Sequence, residues 1–179
     1  MKYVALLRAI NVGGNSIIKM ADLRSAFIKT GYLNASTYIQ SGNVIFEANA
    51  KDLFKTRAAI EEMLSKQFSY NATVILRSHN ELMKIVNEAP NTWNTEPDLR
   101  CYVAFVREPV TSQDIIKDTV INKEVDTISG GEGVVYMTTK MSEIKKSGFS
   151  KLTGKKIYKD ITIRNYNTVK KILSMMEGT

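Results

Sequence analysis

The stretch YVALLR at residues 3–8 decides the fold, because it is apolar on both of the faces that a β-strand would present. Alternate residues of a strand point to opposite sides, so the first, third and fifth residues share one face while Val4 and Leu6 share the other. A sheet with one face in water would show alternation of apolar and polar residues. We therefore expect a central strand whose second face is covered, most simply by the other half of the chain.

The elements around this stretch repeat one order, β-α-β-β-α-β, twice, and a further helix follows. Apolar periodicity and turn residues predict strands over 3–8, 36–40, 43–48, 72–77, 100–107, 125–128, 134–139 and 161–164. They predict helices over 20–30, 51–68, 78–89, 112–120, 151–159 and 168–177. Under the right-handed crossover rule, each repeat forms a four-stranded antiparallel sheet with both helices on one face.

A junction at residues 89–97, APNTWNTEP, separates the two halves and contains two of the three prolines and the only tryptophan. We predict an N-terminal subdomain over 1–89, a linker over 90–97 and a C-terminal subdomain over 98–179. The predicted fold class is α+β, with two ferredoxin-like subdomains packed together and an extra C-terminal helix.

Glycine and hydroxyl residues predict four local features. Ser41-Gly42 and Gly130-Gly131 each predict a tight hairpin turn. Ser78 and Glu81 have the spacing of a capping box, and Ser150 is the predicted N-cap of the helix over 151–159.

Positive charge is concentrated near the C-terminus. Residues 140–171 contain ten basic residues and two acidic ones, a net charge of +8. Since the whole chain carries +7, the remainder carries −1. Such a segment on a near-neutral body indicates an anionic partner, although lysines on exposed faces also serve solubility.

The long loop over 9–19 is the first candidate binding element. It contains Asn11, Gly13 and Gly14, with Arg8 before it and Lys19 at its end. Consecutive glycines let backbone N–H groups converge on an anion, and the N-terminus of a following helix favours negative charge. The alternative is a flexible turn that needs positive φ at two positions.

Further candidates lie at other loops and strand ends. Residues 148–156, GFSKLTGKK, fail the phosphate-loop pattern, which requires four residues between its glycines and a hydroxyl after its lysine. A serine and a lysine at a predicted helix start still offer a phosphate site. The candidates outside the first loop are Ser41, Asn43, Ser150, Lys151, Arg164, Asn165 and Asn167. Tyr166 could stack on a base, but a partly buried tyrosine is the favoured interpretation.

Several kinds of chemistry are disfavoured by composition. Cys101 is the only cysteine and lies in an apolar strand, so no internal disulfide forms. His79 is the only histidine, and no carboxylates cluster, so we expect no metal site, no cofactor and no Ser-His-Asp chemistry. No apolar run approaches the roughly 20 residues that span a bilayer, and we expect a cytoplasmic protein with no membrane partner.

Five segments together carry a family resemblance. They are YVALLRAINVGG at 3–14, MADLR at 20–24, YIQSGNVIF at 38–46, SKLT at 150–153 and RNYNTV at 164–169. The chain resembles the bacterial "domain of unknown function 1697" family over nearly its whole length. The resemblance implies two α+β subdomains of ferredoxin-like topology and no established activity. Ala9 replaces a usual glycine of the family, and Tyr166 a usual tryptophan.

Charge and loop chemistry together predict a binding module for a phosphate-rich ligand, either nucleic acid or a nucleotide. The first alternative is an enzyme that acts on a phosphorylated or nucleotide substrate in a cleft between the subdomains. The second is an interaction scaffold. We further predict that Arg8, Asn11 and Gly13-Gly14 share one anion with Ser150, Lys151 and Arg164.

Overall fold

The structure is a computed structural model that describes residues 1–11 and 17–178. It contains two four-stranded antiparallel sheets with helices, and its last helix lies at the C-terminus. The predicted α+β class is confirmed. The chain divides into two compact units, of which the first comprises Met1–Leu82 and Lys171–Thr179, and the second Met83–Lys170. These bounds differ from the predicted 1–89 and 98–179 because the C-terminal segment belongs to the first unit.

The first unit contains the expected β-α-β-β-α-β order. Its elements are β1 (Lys2–Leu7), α1 (Met20–Lys29), β2 (Leu33–Tyr38), β3 (Asn43–Glu47), α2 (Leu53–Phe68) and β4 (Val74–Ser78). The strand order is β2-β3-β1-β4, so β1 is central. Phe27, Phe46 and Leu64 are fully buried on the helix side of the sheet. Val4 and Leu6, on the other face of β1, are fully buried as well, as the sequence predicted.

The loop between β2 and β3 is longer than the predicted Ser41-Gly42 turn, because β2 ends at Tyr38 and four residues follow it. The fully buried Asn43 explains the difference, since its Nδ2 donates to Tyr38 O at 3.0 Å and to Ser41 Oγ at 2.9 Å. The two hydrogen bonds of this buried amide stabilise the longer loop. Gly42 has the expected positive φ of 72°.

The second unit has a matching sheet. Its elements are β5 (Leu99–Val106), α4 (Ser112–Asp118), β6 (Asp126–Gly131), β7 (Val134–Lys140) and β8 (Ile161–Asn165). Two helices cross the boundary between the units: α3 (His79–Asn87) starts in the first unit, and α5 (Tyr166–Glu177) ends there. The strand order is β6-β7-β5-β8. α3 begins with the predicted capping box, in which Ser78 N donates to Glu81 Oε2 and Glu81 N donates to Ser78 Oγ.

The predicted hairpin between the strands over 125–128 and 134–139 is confirmed, but its turn lies at 132–133 and not at Gly130-Gly131, because both of these glycines pair with β7. A Cβ on Gly131 would lie 2.8 Å from the Tyr136 ring. Here glycine serves close packing of an aromatic ring, and Gly133, with φ of 65°, makes the turn.

The helix predicted over 151–159 is also wrong. Two short 3-10 turns, Gly148–Gly154 and Lys156–Asp160, replace it, and a third, Met141–Lys146, precedes them; we call all three the lysine turns. Gly154 lies inside the predicted range and disfavours an α-helix there. Gly148 lies against backbone, since a Cβ there would meet Val120 O at 2.5 Å. Lys155 is extended and separates the second turn from the third. Ser147, whose Oγ accepts from Phe149 N, caps the second turn in place of the predicted Ser150.

An aromatic cluster packs on the second unit's sheet. The rings of Trp93 and Tyr166 are 4.8 Å apart, and Trp93 Nε1 donates to Thr138 Oγ1 at 2.7 Å. Tyr166 is 4% exposed, so it is buried more completely than predicted, and its ring is not available for stacking on a base. In the described part of the chain, no helix has the length and apolar character to cross a membrane.

Candidate functional site

The structure divides the candidate residues between the two units. Arg8, Asn11, Lys19, Ser41 and Asn43 lie in the first unit. Ser150, Lys151, Arg164, Asn165 and Asn167 lie in the second. Gly13 and Gly14 lie outside the described residues. The anion site shared by both groups stays a prediction.

In the first unit, Asn11 braces the loop that follows β1. Its Oδ1 accepts from Ile18 N at 2.8 Å, and its Nδ2 donates to Ile18 O at 3.1 Å and Gln40 O at 2.9 Å. Both amide hydrogens are therefore used within the protein. The geometry supports a role for Asn11 in holding the loop, rather than as a donor to a ligand.

Gly42 joins the same loop to the end of β1. Its carbonyl accepts from Leu7 N at 2.8 Å. A Cβ at this position would meet Leu7 Cβ at 2.8 Å and Ile10 Cδ1 at 2.8 Å. With Asn43 and Ser41 bonded to each other inside the loop, this part of the resemblance motif has a structural role.

Three non-glycine residues of these two loops have a left-handed backbone. Ala9, Asn11 and Ile39 have φ of 55°, 54° and 49°. A positive φ is rare for a β-branched residue such as isoleucine, and strained backbone often occurs at functional sites. Arg8 is half-buried beside this segment, and Lys19 is exposed at the start of α1. We call residues 8–11 and 39–42 the strained loops.

In the second unit, Asp126 holds the lysine turns in place. Asp126 is 3% exposed, and its Oδ2 accepts hydrogen bonds from Gly148 N at 2.8 Å and from Asn122 N at 3.0 Å. Burial by itself would raise the pKa of Asp126. Hydrogen bonds from Asn122, Ser147 and Gly148 outweigh burial and lower the pKa below its ordinary value of 3.8. A charged carboxylate thus anchors the start of the second turn.

The lysine turns present cations to solvent. Lys146 pairs with Glu143 at 2.6 Å, and the half-buried Lys155 lies 3.4 Å from Asp118. Four further lysines of the turns are exposed and form no ion pair within the described residues: Lys145, Lys151, Lys156 and Lys159. Only Lys151 of these was a candidate from the sequence. The others were present in the charge count, and Lys156 and Lys159 lay on the predicted helix over 151–159, but neither was named as a candidate.

The candidates on and after β8 do not join Ser150. Arg164 is 8% exposed, and its Nη1 donates to Thr162 Oγ1 at 2.8 Å and Ile163 O at 3.0 Å. Burial lowers the pKa of Arg164 to about 10. Ile163 and Ser150 line one cavity, so the strand alternation places Arg164 on the opposite face of the sheet. Asn165 Oδ1 accepts from Asn167 N at 2.9 Å and caps α5.

Cys101 and His79 are the only cysteine and the only histidine of the sequence. Cys101 is buried, and burial raises the pKa of its thiol, which disfavours the reactive thiolate. His79 Nε2 lies 3.7 Å from Glu177 Oε1 within the first unit. Among the described residues, no group of three or more histidine, cysteine, aspartate or glutamate side chains is placed to hold a metal ion.

Asp126 and Gly148 are the residues of this site that sequence reasoning missed. A lone aspartate at the start of a strand has no pattern that indicates burial. Gly148 was visible only as part of a failed phosphate-loop pattern. Its close approach to the backbone of Val120 follows from the tertiary fold.

Comparisons with known proteins agree with the fold. The structure is similar to that of a conserved bacterial protein, SP0830 from Streptococcus pneumoniae, with 24% sequence identity, a TM-score of 0.83 and coverage of 98% of each chain. No curated protein matches the sequence. The family model described as "Protein of unknown function (DUF1697)" matches residues 1–136. The chain therefore belongs to the DUF1697 family.

Proposed function

We propose that the protein is a cytoplasmic binding module for a phosphate-rich ligand, and that the lysine turns of the second unit contact its phosphates. The observation that carries the proposal is a set of four exposed lysines on three consecutive turns, none of which forms an ion pair within the part of the chain that the structure describes. Lysine acts as a mobile point charge that suits phosphate oxygens.

The anchoring of the turns supports this function. Asp126 and Gly148 set the position of the second turn through a buried hydrogen bond and a close backbone contact. Because these contacts already hold the backbone of the second turn, binding of a ligand restricts mainly the lysine side chains. The conformational entropy lost on binding is therefore mainly that of the side chains. Nucleic acid fits an array of several cations better than one nucleotide does, since each lysine can neutralise a separate phosphate.

Fluorescence anisotropy with a labelled 20-nucleotide single strand tests this proposal. We expect binding at about 50 mM salt. The logarithm of the association constant should fall linearly with the logarithm of the salt concentration, with a slope of about −0.7 for each phosphate that the protein neutralises. The variant Lys145→Gln/Lys151→Gln/Lys156→Gln/Lys159→Gln should bind at least tenfold more weakly and flatten that slope by about 3.

The matched control removes the same charge from four exposed lysines elsewhere, in the variant Lys29→Gln/Lys51→Gln/Lys117→Gln/Lys123→Gln. Its affinity should fall much less. Equal losses in the two variants would show that only net charge matters and would refute a site on the turns. Competition by ATP at micromolar concentration would identify a nucleotide rather than nucleic acid as the ligand.

The strained loops favour a second candidate, an enzyme for a phosphorylated or nucleotide substrate. Ala9, Asn11 and Ile39 keep a costly backbone conformation next to the cation of Arg8. A screen for hydrolysis of nucleotides and phosphate esters tests this candidate. Activity that Arg8→Gln removes and that the four-lysine variant retains would favour the enzyme.

A further inference from the structure

A cavity of about 300 Å³ lies in the second unit between the sheet and the lysine turns. Tyr102 of β5, Met137 of β7 and Ile163 of β8 form its wall on the sheet side. Ile144 and Phe149 of the turns face them. All five side chains present mainly carbon, and the cavity size is at the lower end for small-molecule sites, roughly 300–1,000 Å³.

The cavity exists because the second unit lacks a helix that the first unit has. In the first unit, the connection from β3 to β4 is the 16-residue α2, which buries Ile60 and Leu64 against the sheet. In the second unit, the connection from β7 to β8 consists of the lysine turns, in which Leu152 is the one large side chain that is fully buried. The turns therefore cover their sheet incompletely.

The cavity lining also contains the hydroxyl groups of Tyr102, Thr139, Ser147 and Ser150. Ser147 Oγ accepts from Phe149 N. Thr139 is 3% exposed, and its Oγ1 is buried without a hydrogen-bond partner among the described residues. Apart from these hydroxyl groups, a ligand group that enters would meet carbon surface. A nucleobase edge would lose its hydrogen bonds to water there, whereas an alkyl or aryl group would not.

Two lysines are sequence neighbours of residues that line this cavity. Ile144 is 43% exposed and Ser150 is exposed, so both lining residues reach solvent. Lys145 follows Ile144 directly, and Lys151 follows Ser150. Neither lysine forms an ion pair within the described residues.

We propose that this cavity binds the hydrocarbon part of an organic carboxylate, such as a medium-chain fatty acid, with the carboxylate at the mouth beside Lys145 and Lys151. An apolar cavity of about 150 Å³ holds a benzene ring, so about twice that volume accommodates a medium-length chain. This proposal shares one assumption with the proposed function, which is that the lysine turns attract anions. The cavity itself is independent of phosphate binding.

Isothermal titration calorimetry with octanoate tests the proposal, with octanol as the neutral ligand of matched length. We expect octanoate to bind at one site and octanol to bind at least tenfold more weakly. Ser150→Trp places a large ring at the mouth from an exposed position and should weaken octanoate binding at least tenfold. Lys145→Gln/Lys151→Gln should weaken octanoate severalfold and leave octanol unchanged, while Lys117→Gln/Lys123→Gln should change neither.

Absence of octanoate binding, or equal binding by the Ser150→Trp and wild-type proteins, would overturn the proposal. So would equal loss in the two double-lysine variants, which would indicate an effect of net charge. Anisotropy with the labelled single strand separates this proposal from the proposed function. A protein that binds octanoate but no oligonucleotide supports the cavity and removes the proposed function, and the reverse result removes the cavity alone.

Discussion

Replacement of Asp126 should loosen the lysine turns by an amount that the structure allows us to estimate. Oδ2 accepts two backbone hydrogen bonds, at 2.8 Å from Gly148 and 3.0 Å from Asn122. In Asp126→Asn the carbonyl oxygen can still accept both bonds, but the charge is lost. Bonds to a charged acceptor contribute about 1 kcal/mol more than neutral ones, so we expect a loss of about 2 kcal/mol. Asp126→Ala also leaves buried donors unpaired and should cost about 3–5 kcal/mol.

Urea denaturation followed by fluorescence measures this loss, because Trp93 is the only tryptophan and lies in the second unit. Asp98→Asn is the matched control, since Asp98 also accepts two hydrogen bonds from a lysine turn, from Ser142 N and Oγ, but is exposed. Its effect should be clearly smaller. Equal effects of the two substitutions would refute the role of burial.

The same residue predicts a pH dependence. The pKa of Asp126 is below 3.8 in the folded protein, so folding favours its charged form. Its contribution to stability is complete above pH 3.8 and is lost as the pH falls through the lower folded pKa. The stability difference between wild type and Asp126→Asn should therefore be constant from pH 7 to pH 5 and shrink below pH 3.8. A difference that grows in acid would contradict this reasoning.

Three further sets of substitutions test packing within each unit by circular dichroism during denaturation. Gly42→Ala combines a positive φ with contacts of 2.8 Å and should cost about 3 kcal/mol, whereas Gly31→Ala, with positive φ in open space, should cost about 1 kcal/mol. Equal costs would show that the close contact is relieved. Ile39→Gly should stabilise the first unit by about 1 kcal/mol, because it removes a left-handed β-branched residue; a loss of stability would show that the side chain packs favourably. Trp93→Phe should cost about 1 kcal/mol through its bond to Thr138, and the combination with Thr138→Val should be non-additive; additive losses would argue against that bond.

The element order and the central strand could be predicted because they follow from local patterns. The two-faced apolar stretch at 3–8 predicted a strand buried on both faces, and Val4 and Leu6 are buried. The Ser78–Glu81 capping box was also predicted correctly. In both cases the residues that determine the structure lie within a few positions of the element that they determine.

Predictions failed where glycine or a polar side chain serves a tertiary contact. Gly131 makes room for the Tyr136 ring, yet it was interpreted as a turn residue, and Gly148 approaches the backbone of Val120, yet it was considered only as part of a phosphate-loop pattern. Asn11 and Asn43 have the residue type of a ligand contact, but they are bonded to loop backbone. Short-range sequence patterns do not distinguish a polar group used inside the protein from one available to a partner.

The most direct test of the account is a nuclear magnetic resonance titration of the ¹⁵N-labelled protein with the 20-nucleotide single strand at about 50 mM salt. We predict that the largest amide shift changes fall in residues 141–160 and that added salt reverses them. Changes confined to the strained loops, or to no region of the chain, would contradict phosphate binding by the lysine turns.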